Sequence, residues 1–262
     1  MTTPTTPGWT AAHFAMKFPV AGAVAGTALY CFSAFGADDT RMIAITFDDG
    51  FKSDLTIALP YLEDDVATTY LNSASFFKND PNYLATNDIQ SFVDARWEIG
   101  SHADEHVDLT KSENLTEQIK KAVEFLAPYS SVAGLATPYG MFDDRVVNEA
   151  LNFHYYHANA WSDAKGLNTR HNIDVRNVHR ETITTDTSAY YVCTKVQSLG
   201  DNTLYVPLFH EIVQDEVWQD TEEFFYKTPV SKFQEIVDCF REENLKFVTV
   251  YEGVTYLEGK NE

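Results

Sequence analysis

The residues of this chain best equipped for chemistry are two adjacent carboxylates, Asp48 and Asp49, and three histidines, His102, His106 and His210. The carboxylates close the apolar run in "RMIAITFDDGFKSD" (Arg41–Asp54), so two negative charges stand at the end of what reads as a buried strand. A solvated turn accounts for the composition, because Asp and Gly both favour turns. A bound cation accounts for the charges as well: neighbouring carboxylates raise each other's proton affinity, and a divalent ion reverses that effect. His102 and His106 stand four apart in "GSHADEH", a spacing that lets two imidazoles meet one ion. The pair follows a short strand, so their convergence is expected in a loop or tight turn. One Asp and two His leave coordination positions open for water and substrate, which is the pattern of a catalytic metal and not of a structural one. The neighbouring Asp then stays free as a base, and His210, arriving after "YVPLF", is placed to supply an acid.

Such a set meets only if separate strand ends share one rim. From Arg41 onward, β-type runs alternate with amphipathic helical stretches, with no internal repeat or long linker, which predicts one α/β domain. Strands are expected over 42–47, 67–77, 98–101, 132–137, 153–158, 203–209 and 246–251, and helices over 87–95, 114–128, 143–151 and 229–244. About seven strand-helix alternations predict a distorted or incomplete (β/α) barrel, with its chemistry at the C-terminal ends of the strands. The polar groups fall there. "TFDDG" (Thr46–Gly50), "GSHADEH" (Gly100–His106), "ATPYG" (Ala136–Gly140) and "LFH" (Leu208–His210) each follow a strand-like run.

The balance of 19 Lys and Arg against 39 Asp and Glu gives a net charge of -20, which repels a polyanion and argues against nucleic acid as a partner. Cys31, Cys193 and Cys239 show no metal-type spacing and no disulfide framework; Cys193 and Cys239 pair only if the fold joins them. After Lys17, the charge-free stretch Phe18–Ala37 has the layout of a secretory signal, with a retained anchor or a buried element as the alternatives. Residues 1–40 are therefore expected as an N-terminal tail with a signal or anchor, and 41–262 as the catalytic domain. A secreted or cell-surface location is the expectation, with membrane contact only if 18–37 is a retained anchor.

The four motifs resemble those of the metal-dependent polysaccharide deacetylases, the NodB-homology or carbohydrate esterase 4 group. The first motif, TFDDG, is complete at Thr46–Gly50, the second reads "SHADEH", the third "ATPYG", and the last is Leu208, Phe209 and His210; the match spans roughly 42–251. The resemblance implies a distorted (β/α) barrel of NodB-homology type. It also implies Asp48 as catalytic base, Asp49, His102 and His106 as metal ligands, and His210 as general acid. Pro138 and Tyr139 of the third motif and Leu208 are then the substrate-facing residues, Tyr139 through its backbone amide and Leu208 toward the acetyl methyl. The implied activity is a metal-dependent hydrolase, acting on carbon-nitrogen bonds other than peptide bonds, that removes N-acetyl groups from N-acetylglucosamine-containing poly- or oligosaccharide. One divalent ion is expected, zinc first, with cobalt, nickel or manganese also suited to nitrogen and oxygen ligands. An O-acetyl esterase or non-sugar amidase using the same site, or a non-catalytic carbohydrate-binding relative, are the alternatives.

The chain departs from the family pattern in three places. Ala136 stands where the third motif has an Arg that orients the base, leaving Arg176 and Arg180 as replacements; Ala103 stands where Ser or Thr is usual. The motif that orients the acid histidine is not recognisable, and Asp163 and Asp174 are the acidic residues offered for it. Trp161, Tyr155, Tyr156 and Trp218 are aromatics able to stack on sugars, with core packing as the ordinary reading for most of them.

Overall fold

The apolar run expected over 42–47 forms two short strands, β1 (Arg41–Ile43) and β2 (Thr46–Phe47), separated at Ala44–Ile45 so that it serves two sheets. The protein is described here from a computed structural model covering residues 40–259, and the signal or anchor expectation for residues 1–39 lies outside the described residues. Among the described residues no helix is long and apolar enough to cross a membrane.

The remaining strands are β3 (Thr68–Leu71), β4 (Glu98–Ser101), β5 (Gly134–Ala136), β6 (Tyr156–Ala158), β7 (Leu167–Thr169), β8 (Glu181–Thr182), β9 (Thr203–Tyr205), β10 (Pro207–Phe209), β11 (Ile212–Val213), β12 (Thr228–Pro229) and β13 (Lys246–Phe247). Seven of them lie in the order β6-β5-β4-β3-β2-β10-β8, every neighbouring pair parallel. This curled sheet forms a half-barrel, the distorted (β/α) barrel that the strand-helix alternation predicts. A second sheet, β13-β1-β9-β7, continues it, because 203–209 divides at Val206 as 41–47 does at Ala44–Ile45.

Helices α1 (Leu59–Leu62), α2 (Ile89–Asp94), α3 (Leu115–Leu126), α4 (Asp144–Ala150), α5 (Ala189–Gln197), α6 (Val230–Glu242) and α7 (Val250–Leu257) complete the fold. The apolar face of α3 (Leu115, Ile119, Ala122 and Leu126) is buried, as its spacing predicts. Between the sheet and α6, the rings of Phe47, Phe209 and Phe233 pack within 5.3 to 6.1 Å of one another. Cys193 of α5 and Cys239 of α6 form a disulfide, so the fold does bring these two cysteines together.

Two expected strands end early for local reasons. The run 67–77 leaves the sheet at Asn72, whose side-chain amide donates to the His102 carbonyl at 2.7 Å, and Ser73–Phe77 becomes a 3-10 turn. The run 246–251 stops at Phe247 because Thr249 caps α7: its hydroxyl accepts from Glu252 N at 3.2 Å while the Glu252 carboxylate accepts from Thr249 N at 2.9 Å. That reciprocal cap overrides the β-branched character of Val248–Val250.

Candidate active site

The end of β2 carries Asp48 and Asp49. Asp48 still pairs with the sheet, its N–H donating to Phe209 O at 3.1 Å, and then the chain turns sharply, with Asp49 and Gly50 both in the left-handed region at φ 74° and 71°. The same conformation recurs at Ala103 (φ 64°), beside His102 after β4, and at Tyr139 and Gly140 (φ 59° and 64°), after β5. A side chain other than glycine costs about 1–3 kcal/mol there, so three of the four motif turns carry some backbone strain, as do other turns of the fold such as Glu63, Val132 and Asn202.

His102 and His106 meet in a non-helical loop, as expected from the strand that precedes them. Their Nε2 atoms lie 3.3 and 3.2 Å from the same oxygen, Asp49 Oδ1, and the three ligand atoms lie within 4.8 Å of one another. His102 Nδ1 is 2.8 Å from the Ala136 carbonyl, an acceptor only, so Nδ1 carries hydrogen and Nε2 is the atom turned to Asp49. Asp49 Oδ1 is nevertheless buried without a hydrogen-bond partner. Two imidazole nitrogens and a carboxylate oxygen aimed at one point, with the second imidazole nitrogen of His102 anchored to a backbone carbonyl, fit a divalent cation. The loop is held from behind. Asn72 fixes His102 O, Ser73 Oγ donates to Asp104, and Arg145 donates to the carbonyls of Leu109, Thr110 and Ser112.

Asp48 is 2% exposed and lies against the fully buried Arg180, with Nη1 donating to Oδ1 at 2.7 Å and Nη2 to Oδ2 at 3.0 Å. Burial alone would push this carboxyl up; the Arg180 charge and hydrogen bonds, helped by His102 and His210, outweigh it and hold it below its usual range. Asp49 goes the same way: burial opposes, and the nearby His102, with His210 and His106, carries it well below the usual range. His102 is correspondingly raised, its burial outweighed by Asp48 and Asp49. Burial and the neighbouring His102 lower His106, and burial lowers His210. Asp54, four residues beyond the first motif, is fully buried with neither carboxylate oxygen hydrogen-bonded among the described residues, and burial next to Asp49 and Asp48 drives it well up.

These groups share one open pocket of about 300 Å³, lined among others by Asp48, Asp49, His102, His106, Tyr139, Trp161, His210 and Tyr226. His210 faces Tyr226 at 5.2 Å, Tyr226 meets Trp161 edge-on at 6.3 Å, and Tyr139 stands edge-on to His106 at 4.3 Å. Trp161 lies so close to the third motif that a Cβ on Gly140 would come within 2.9 Å of the indole Cδ1. Pro138 and Leu208 are buried and are not among the lining side chains; Leu208 sits on β10 between Thr46 and Thr182. Of the other aromatics, Tyr155 bonds Glu258 and Tyr156 bonds Glu98 below the site, and Trp218 lies off the pocket. Arg176 pairs at 3.6 Å with Asp144, so Arg180 is the arginine that reaches Asp48. Asp163 and Asp174 are exposed, Asp174 accepting from Arg176 N, and His210 Nδ1 has no partner among the described residues. Tyr226, Phe51 and Thr182 also line the pocket; they carry no motif, and only proximity in the fold reveals them.

A parallel half-barrel with a carboxylate–imidazole cluster and a buried Asp–Arg pair at its strand ends defines an α/β barrel with a polar site at its C-terminal rim. The polysaccharide deacetylase family model matches residues 36–158, a stretch that holds the first three motifs and stops short of Arg180 and His210. Over that stretch the chain is similar to the polysaccharide deacetylases, the NodB-homology or carbohydrate esterase 4 group. Three solved structures share the fold. The Xyl-CE4 domain of a multidomain xylanase from the hindgut metagenome of Trinervitermes trinervoides is 19% identical, with a TM-score of 0.56 over 84% of this chain and 92% of that one. The Bc1960 peptidoglycan N-acetylglucosamine deacetylase is 18% identical, with a TM-score of 0.56 over 82% and 88%. A family 4 carbohydrate esterase from Streptomyces lividans, in complex with acetate, is 15% identical, with a TM-score of 0.55 over 81% and 94%. No curated protein sequence matches the chain.

Proposed function

We propose that this protein is a metal-dependent deacetylase that hydrolyses N-acetyl groups on N-acetylglucosamine-containing polysaccharide or oligosaccharide. The observation that carries the reading is the convergence of His102 Nε2, His106 Nε2 and Asp49 Oδ1 in one pocket with Asp48 and His210. Asp49, His102 and His106 are the residues that would hold the ion, and zinc suits one carboxylate and two imidazoles. Bound there, a divalent ion would supply Lewis acidity for the acyl carbonyl and the attacking water. Asp48, kept ionised and oriented by Arg180, takes the proton from that water. The backbone amide of Tyr139, in the pocket lining, would donate to the developing oxyanion. His210, on the pocket wall, protonates the departing nitrogen, so that acetate and a free amine leave. Trp161, 52% exposed beside the pocket, offers a face for a sugar ring. The Cys193–Cys239 disulfide suits an oxidising compartment and so favours export or cell-surface display.

The test is acetate release from N-acetylglucosamine oligomers and from O-acetyl xylan, with metal content measured on the same sample before and after chelation. The expected result is release from the N-acetyl substrate only, lost with the metal and restored by zinc. Activity that persists in metal-free protein would refute the mechanism, and release from xylan alone would move the substrate to an ester.

A further inference from the structure

The third-motif position that carries an arginine in the family pattern is Ala136 here, yet Asp48 has a guanidinium at 2.7 and 3.0 Å. We propose that Arg180, seated on Tyr70, is the positioning residue that fixes the Asp48 carboxylate from a different part of the chain, the residue immediately before β8. The proposal rests on the reading of Asp48 as the base.

Four contacts fix the guanidinium. Its two terminal nitrogens grip both oxygens of Asp48, Nε donates to Asn159 O at 2.8 Å, and its flat face lies 4.9 Å from the centre of the Tyr70 ring. A planar fork bound along two edges and supported on one face has little freedom left, so the carboxylate plane it grips is set as well. The support is itself anchored. Tyr70 OH and Tyr156 OH are 2.7 Å apart, Tyr156 donates to Glu98 Oε1 at 2.7 Å, and Glu98 Oε2 accepts from Thr68 Oγ1 at 3.1 Å and from Tyr251 N at 2.9 Å, in the first turn of α7. A continuous buried column thus runs from the base at the strand ends to a helix N-terminus below.

Two glycines make room for that column. A Cβ on Gly100 would lie 2.4 Å from Tyr70 Cδ1, and one on Gly134 would lie 2.1 Å from Tyr156 Cζ. Neither has a positive φ, so space and not backbone freedom calls for glycine in these strands. Ala136 packs in the same buried cluster as Tyr70 and Tyr156, where its single methyl leaves the volume to the rings and to Arg180. The arginine thus comes from just before β8, and Tyr70 of β3, Gly100 of β4, Gly134 of β5 and Tyr156 of β6 shape its seat.

The experiment compares Arg180→Ala, Arg180→Lys and the double variant Arg180→Ala/Ala136→Arg. Each is measured for kcat, KM, bound metal, and the position of the Asp48 carboxylate in its crystal structure. Arg180→Ala and Arg180→Lys are expected to lower kcat on the order of 100-fold with KM changed much less, as for a misplaced catalytic group. Metal content stays at the wild-type level. The double variant, or guanidinium ion added to Arg180→Ala, recovers at least a tenth of the wild-type kcat. Arg180→Lys keeps a buried cation and covers the case in which Arg180→Ala does not fold. Wild-type kcat in Arg180→Lys, or an Asp48 carboxylate that keeps its place when Arg180 is gone, would overturn the proposal. The carboxylate position is read without substrate, so it decides the matter even if the wild type releases no acetate and the functional reading fails.

Discussion

Gly134→Ala is the sharpest stability test of the barrel interior. The new methyl would sit 2.1 Å from Cζ, 2.3 Å from the hydroxyl and 2.5 Å from Cε2 of Tyr156, a ring that is fully buried and cannot swing into solvent. Moving the ring away breaks its bonds to Tyr70 and Glu98, both 2.7 Å long. Overpacking alone costs about 1–3 kcal/mol. Leaving the Glu98 oxygen and the Tyr70 hydroxyl without their partner adds about 1–3 kcal/mol each, and the lost chain entropy of glycine returns less than about 1 kcal/mol. A net loss of about 2–9 kcal/mol lowers Tm by roughly 4–36 °C for a domain of this size. Thermal unfolding followed by circular dichroism measures it. In a Tyr156→Leu background, where the ring and its bonds are already gone, the same Gly134→Ala change is expected to cost less than half as much. A Gly134→Ala protein that melts within about 2 °C of wild type would refute the claim that the glycine exists to admit the ring.

Asp54→Asn is expected to raise stability at neutral pH. The folded-state pKa of Asp54 is raised, so wild type loses stability as pH climbs above the unfolded value near 3.9 and the amide does not; the gain must vanish toward pH 4 in denaturant titrations. Cys193→Ser/Cys239→Ser removes a link across 46 residues of sequence and should cost about 2–4 kcal/mol, with wild type under reductant melting at the variant's temperature. Trp161→Ala should raise KM for acetylated oligosaccharide about 3–10-fold with kcat little changed, the loss expected for one stacking face; an unchanged KM would remove Trp161 from the binding surface.

How much of this was legible in sequence depends on the range over which each feature is decided. The strand ends were, because hydrophobic runs and the polar residues that stop them are local: β4 falls on 98–101 as expected, and all four motifs lie at one rim. The two strands read as too long ended where a side chain captured the backbone, at Asn72 and at Thr249, and in each case the partner lies on another element or in the helix being capped. Helix α5 was missed, since Ala189–Gln197 carries aromatics and β-branched residues that propensity alone does not assign to a helix.

Asp48 and its arginine are the clearest case. Asp48 and Arg180 are 132 residues apart, and nothing local to "DVRNVHRET" separates an arginine that will be fully buried from Arg176, four residues earlier and partly exposed. What the sequence did contain was a deficit. A strand ending in two buried carboxylates needs cationic partners, because a buried charge left unpaired costs several kcal/mol, and Ala136 cannot supply one. His102 and His106 face Asp49 at 3.3 and 3.2 Å and answer for it. Asp48 then requires its own cation, and the chain has only 19 lysines and arginines from which to draw it. The deficit was therefore readable in one dimension while its answer was not: choosing Arg180 requires the space left by Gly100 and Gly134 and the ring that fills it.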